Sequence, residues 1–156
     1  MGAFSATASY LAFSGLYFVC FALAVTVCGL YGRDLNRARL EHKYADSKWV
    51  YAVVVGGLSA LTSLVYLIPL VFRRAGVAAV GWNFLLFVLW IAVFGLFGAM
   101  YIRERDEGDS DIKRMKSAVW VDLVNALLWL ISSLAALGYW WKHRDTRSQF
   151  TGRAHV

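Results

Sequence analysis

Trp120-Val-Asp122-Leu-Val-Asn125-Ala-Leu-Leu-Trp129-Leu-Ile-Ser132-Ser133-Leu-Ala-Ala136, running on to Trp140-Trp141, decides the fold of this chain. From 117 to 141 the only charge is Asp122. The 25 residues of that stretch, at ~1.5 Å each, exceed a hydrocarbon layer of ~30 Å, so the stretch reads as a membrane-spanning helix. Steps of ~100° per residue put Ala118, Asp122, Asn125, Ala126, Trp129, Ser133 and Ala136 on one side. Leu123, Val124, Leu127, Ile131 and Leu134 fall on the other. Lipid accepts the second face but not an aspartate, so the first must look at protein, and the rest of the chain has to supply it.

Three further apolar stretches do so. Residues 10–31, 49–72 and 77–102 carry no charge, which with 117–141 makes four spans and an all-α membrane protein. The expected architecture is an antiparallel, up-down four-helix bundle over 1–141, followed by a short basic tail at 142–156. The first stretch is too long for a signal-peptide core and is read as mature structure. Pro69, the only proline, is expected to end the second helix shortly before Arg73-Arg74, with a tight hairpin leading into the third. Composition agrees with this class: 60% hydrophobic, 16% aromatic and a mean hydropathy of +0.54 describe an integral membrane protein with no room for a second domain.

Each span carries a line of small residues at helical spacing. Ala8, Ala12, Gly15, Ala22, Thr26 and Gly29 align on the first, and Ala52, Gly56, Ser59, Ser63 and Tyr66 on the second. Gly81, Ala92, Gly95 and Ala99 align on the third. Helices in lipid are not driven together by the hydrophobic effect, so close backbone approach through such stripes is what binds them. Gly56, Ser59, Gly95 and Ala99 are the expected packing positions, Gly56 and Gly95 being candidates for contacts between copies. Aromatic residues mark the ends of the spans (Tyr31, Trp49, Tyr51, Trp82, Tyr101, Trp120, Tyr139, Trp140 and Trp141), where their rings prefer headgroup level. Trp90 and Trp129 are mid-helix and require a packing slot or a lipid contact.

Catalytic chemistry has no visible carrier. His42, His143 and His155 stand in separate polar segments, without metal-ligand spacing. The acidic residues at 104–111 alternate with basic ones and lack calcium-loop spacing. Cys20 and Cys28 both lie inside the first span. The expectation is therefore a non-enzyme without metal or cofactor. A net charge of +6 points to anionic lipid headgroups rather than nucleic acid, with Lys142, Arg144 and Arg147 as the contacts.

With a second span opening Lys48-Trp49-Val-Tyr51-Ala and closing Val-Tyr66-Leu-Ile-Pro69, and the fourth span quoted above, the chain resembles the fungal MARVEL-domain proteins over nearly its whole length. The resemblance implies a four-helix bundle with both termini in the cytoplasm. It also implies a role in membrane apposition, vesicle trafficking or lipid-ordered patches at the plasma membrane or an endomembrane. The charge count opposes that topology. Loops one and three hold 5 Lys and Arg each, against 2 in the hairpin and 4 in the tail, so ten face six and the positive-inside rule puts the termini outside.

Two functions follow. One is a membrane organiser that self-associates or binds lipids and other membrane proteins. The other is a small transporter or channel in which Asp122 and Asn125 line a path. In the first, Asp122, Asn125, Lys48 and Tyr51 anchor the bundle. Lys48 is ranked first as the partner of Asp122, with Tyr51, Tyr31 and Arg103 next.

Overall fold

The computed structural model describes the backbone of residues 2–40, 47–103 and 110–148, and most side chains between 9 and 142. Among the described residues there are four helices: α1 (Gly2–Leu40), α2 (Ser47–Tyr66), α3 (Pro69–Tyr101) and α4 (Ser110–Ser148). Each includes an apolar segment long enough to cross a bilayer: Ser9–Arg37, Ser47–Tyr66, Gly76–Tyr101 and Ser110–Lys142. α1 packs tightly on α2 and α3 on α4, while α1 against α4 and α2 against α3 close the ring more loosely. The result is an up-down bundle with α1 and α3 on one diagonal and α2 and α4 on the other.

Helix ends differ from the apolar boundaries in two places. α1 and α4, at 39 residues each, are about 58 Å long and outrun the hydrocarbon layer. α1 continues through Arg33, Asp34 and Arg37, and α4 begins well before residue 117. Hydropathy marks where the lipid stops, and these charged residues are adequate helix formers beyond that point.

The second difference is a correction to the second span. α2 stops at Tyr66 rather than 72, closed by Leu67 N–H to Ser63 O at 3.0 Å and Ile68 N–H to Val65 O at 3.1 Å. Pro69 opens α3 instead of ending α2. Ile68 is extended (φ −82°, ψ 111°), as a residue before proline must be, and the missing proline N–H costs nothing at the first helical position. The chain then bends again inside α3 at Gly76, whose φ of 51° is open to glycine and disfavoured in other residues. Residues 49–72 are uniformly apolar, so composition alone hides this double break.

The four small-residue lines do not all face inward. Those of α2 (Ala52, Gly56, Ser59, Ser63) and α4 (Ala118, Asp122, Asn125, Ala126, Trp129, Ser133, Ala136) are buried. On α1, Ala12, Gly15, Ala22, Thr26 and Gly29 are exposed, and so are Gly81, Ala92, Gly95 and Ala99 on α3. α1 turns Tyr17, Cys20, Ala24, Val27 and Tyr31 inward, and α3 turns in Ala79, Asn83, Leu86, Trp90, Val93 and Phe97. Both sets step alternately by three and four residues, the spacing of a left-handed bundle seam. The reason is volume: Tyr17, Tyr31, Trp90 and Phe97 of one diagonal, joined by Trp129 of α4, fill the space left by the small side chains of α2 and α4.

Close approach is made at Gly56, where an added Cβ would lie 2.6 Å from Cys28 Sγ and 3.4 Å from Ala24 O of α1. On α3 the tight glycine is Gly98, where a Cβ would lie 3.3 Å from Ile102 Cδ1 and 3.8 Å from Val119 Cγ1 of α4. Gly95 has open space around it.

Candidate functional site: a polar axis inside the bundle

The inward faces carry polar groups along the length of the bundle. At the end adjoining loops one and three, the Tyr31 hydroxyl donates to Asp122 Oδ2 at 2.5 Å. The Tyr31 ring stacks on Phe97 at 4.5 Å between centroids and meets the edge of Trp49 at 5.6 Å. Trp49 in turn lies 5.1 Å from Phe97. Asp122 is thus set in an aromatic collar, fully buried, with a phenol as its donor.

Midway, Trp90 Nε1–H donates to Ser59 Oγ at 2.8 Å, which seats one of the two mid-span tryptophans over the α2 stripe. Tyr51 is half-buried and donates to the Leu89 carbonyl at 3.3 Å. Asn125 Nδ2–H donates one turn back to Val121 O at 3.3 Å. Toward the other end, Asn83 Nδ2–H donates to the Tyr17 hydroxyl at 3.2 Å and Ser133 Oγ–H to Val80 O at 3.1 Å. Tyr17 lies edge-on to Tyr66 at 5.0 Å. Four buried atoms on this axis have no hydrogen-bond partner: Asp122 Oδ1, Asn125 Oδ1, Trp129 Nε1 and Asn83 Oδ1.

Of the residues expected at the site, Asp122 and Asn125 share the buried face of α4, but Lys48 is not joined to them. Its Nζ lies 3.8 Å from Met100 Sδ, and Tyr31 occupies the place assigned to it at Asp122. The reason is reach: Tyr31 enters from the buried seam of α1, whereas Lys48 stands at the start of α2. Ser59 is inside with Trp90, and Ala99 faces outward. Lys142 is exposed, while the side chains of Arg144 and Arg147 lie outside the described residues. Among the described residues, no three His, Cys, Asp or Glu side chains gather as a metal site. The sequence reading missed Asn83 and Tyr17, whose signal was an amide and a phenol inside otherwise apolar spans.

Beyond the collar, an ion-pair zipper joins the protruding ends of α1 and α4. Arg114 Nη2 lies 2.6 Å from Asp34 Oδ1, with side-chain exposures of only 19% and 17%. Arg37 Nη1 lies 2.9 Å from Asp111 Oδ2, and Arg114 Nη1 3.2 Å from Asp111 Oδ1. Arg114→Met leaves Asp34 in a sheltered position without its cation, and is expected to lower thermal stability in detergent by about 1–3 kcal/mol. Arg37→Met, at a pair half open to solvent, is expected to cost less than about 1 kcal/mol. Equal effects in the two melting curves would refute the zipper's dependence on burial.

Fold and axis together define a multi-pass membrane protein of four spans. Comparisons with protein-family models, with curated proteins and with solved structures each return no match for the chain.

Proposed function

We propose that this protein is a non-enzymatic membrane organiser that associates laterally with copies of itself or with other membrane proteins. The observation that carries this reading is the pair of small-residue lines turned outward on diagonal helices, Ala12, Gly15, Ala22, Thr26 and Gly29 on α1 and Gly81, Ala92, Gly95 and Ala99 on α3. Among the described residues nothing covers them, and such lines let helix backbones approach closely in lipid. Placed on opposite corners, they offer two faces per molecule, as a laterally extended assembly requires. The resemblance to the fungal MARVEL-domain proteins supports a role in patch organisation, trafficking or membrane apposition. Cytoplasmic termini and a tail touching anionic lipid through Lys142, Arg144 and Arg147 belong to the same reading.

Gly15→Leu and Gly95→Leu test it. Both positions have open space around an added Cβ, so each variant is expected to keep the stability of the wild type to within about 0.5 kcal/mol. Each is expected to lower the yield of crosslinked dimer in native membranes. A wild type that crosslinks only as monomer refutes the reading.

The unpartnered polar atoms on the axis favour a second reading, a small transporter using Asp122 and Asn125. Against it, the axis is filled by Tyr17, Trp90, Trp129 and Phe97, all fully buried. Ion flux into liposomes that is lost in Asp122→Asn would establish transport.

A further inference from the structure

We propose that Asp122 is a proton-binding site in the membrane interior: its carboxyl group carries a proton on Oδ1 and donates it to the amide oxygen of Asn125. This does not rest on either functional reading above.

The Asp122 carboxyl has two oxygens, and Tyr31 donates to Oδ2. Oδ1 is buried with no partner. The Asn125 amide is oriented by its Nδ2–H bond to Val121 O, which leaves Oδ1 as the free end, also buried and without a partner. These residues stand three apart on one buried helical face, where side chains are neighbours. Both atoms are acceptors, so neither can satisfy the other without a proton. One proton on either oxygen converts the pair into a donor and an acceptor and satisfies both. The proton belongs on the carboxylate, which is far more basic than an amide oxygen. The balance is simple: an O–H bond forms on Asp122 Oδ1, a proton is taken from water, and the carboxylate charge disappears.

The surroundings favour the neutral form. From α1 the site is faced by Tyr31, with Asp34 one turn beyond and bound to Arg114. From α2 comes Lys48, whose ammonium lies 3.8 Å from the Met100 sulfur. From α3 comes Tyr101, stacked along Phe97. On α4 itself the nearest cations in sequence are Lys116, six residues back, and Arg114, two turns back and held by Asp34 and Asp111. Among the described residues no cation pairs with Asp122. A bare carboxylate would therefore stand in an aromatic collar inside the membrane with one neutral donor, a placement that is costly unless the charge is removed.

Infrared spectroscopy of the folded protein in a detergent without ester carbonyls reads this directly. At neutral pH the wild type is expected to show the carbonyl stretch of a protonated carboxyl, moved to lower frequency when aspartate is labelled with ¹³C in its side-chain carboxyl. The band is expected to vanish in Asp122→Asn and to shift upward in Asn125→Leu, which removes its acceptor. Should Asp122→Asn not fold, Tyr31→Phe replaces it, because loss of the donor to Oδ2 must move the same band. Absence of an aspartate-sensitive band in folded wild type overturns the proposal. So does a band that survives Asp122→Asn, or one that neither Asn125→Leu nor Tyr31→Phe displaces.

Discussion

Gly56→Leu is expected to destroy most of the folded monomer in mild detergent. An added Cβ alone would meet Cys28 Sγ at 2.6 Å and the Ala24 carbonyl at 3.4 Å. The sulfur itself lies 3.7 Å from the Val53 carbonyl as its hydrogen-bond acceptor, and the Ala24 oxygen belongs to the α1 backbone and cannot turn away. Three further carbons force α1 and α2 apart along one of the two tightest helix pairs. Overpacking of this kind costs about 3 kcal/mol or more. Gly57→Leu is the matched control, since nothing lies within 4 Å of its Cβ position, and it is expected to stay within about 0.5 kcal/mol of wild type. Gly56→Ala should be intermediate and should recover most of its loss when combined with Cys28→Ala, which removes the nearer obstacle. Melting curves of the four variants check the series; Gly56→Leu as stable as Gly57→Leu would refute the α1/α2 contact.

Tyr31→Ala is expected to cost about 2–4 kcal/mol, because it empties a fully buried site and removes the stack on Phe97 together with the edge contact to Trp49. The range lies toward the lower side of soluble-protein values, since lipid is as apolar as the bundle interior and burial itself contributes little. Tyr31→Phe keeps the ring and removes the donor to Asp122, at about 1–2 kcal/mol. The difference between the two separates packing from hydrogen bonding at one position. Asp122→Leu combined with Tyr31→Phe should be less than additive, whereas Asp122→Leu with Lys48→Met should add. Thermal unfolding in detergent measures both cycles. Strict additivity in the first would refute the Tyr31–Asp122 bond as a stabilising contact.

The spans, their number and the inward face of α4 were legible in the sequence because the bilayer imposes a simple rule. Uncharged runs of twenty or more residues become helices, and an aspartate among them must turn toward protein. The same rule could not locate the end of α2, because 49–72 is apolar on both sides of the Ile68-Pro69 break. Nor could it extend α1 to Leu40, where propensity and the Arg114–Asp34 pair take over from hydropathy.

The orientation of α1 and α3 was beyond it for a different reason. In lipid, an exposed face and a buried face are equally apolar, so a line of Gly and Ala does not announce which way it points. Only the tertiary structure decided that α1 and α3 turn aromatic rings inward while α2 and, Trp129 apart, α4 present small residues, since filling the interior depends on matching volumes across four helices at once. The partner of Asp122 was decided in the same way. The sequence determined that the carboxyl group needs protein around it, and the depth at which each helix delivers its polar atoms made that partner Tyr31 and not Lys48.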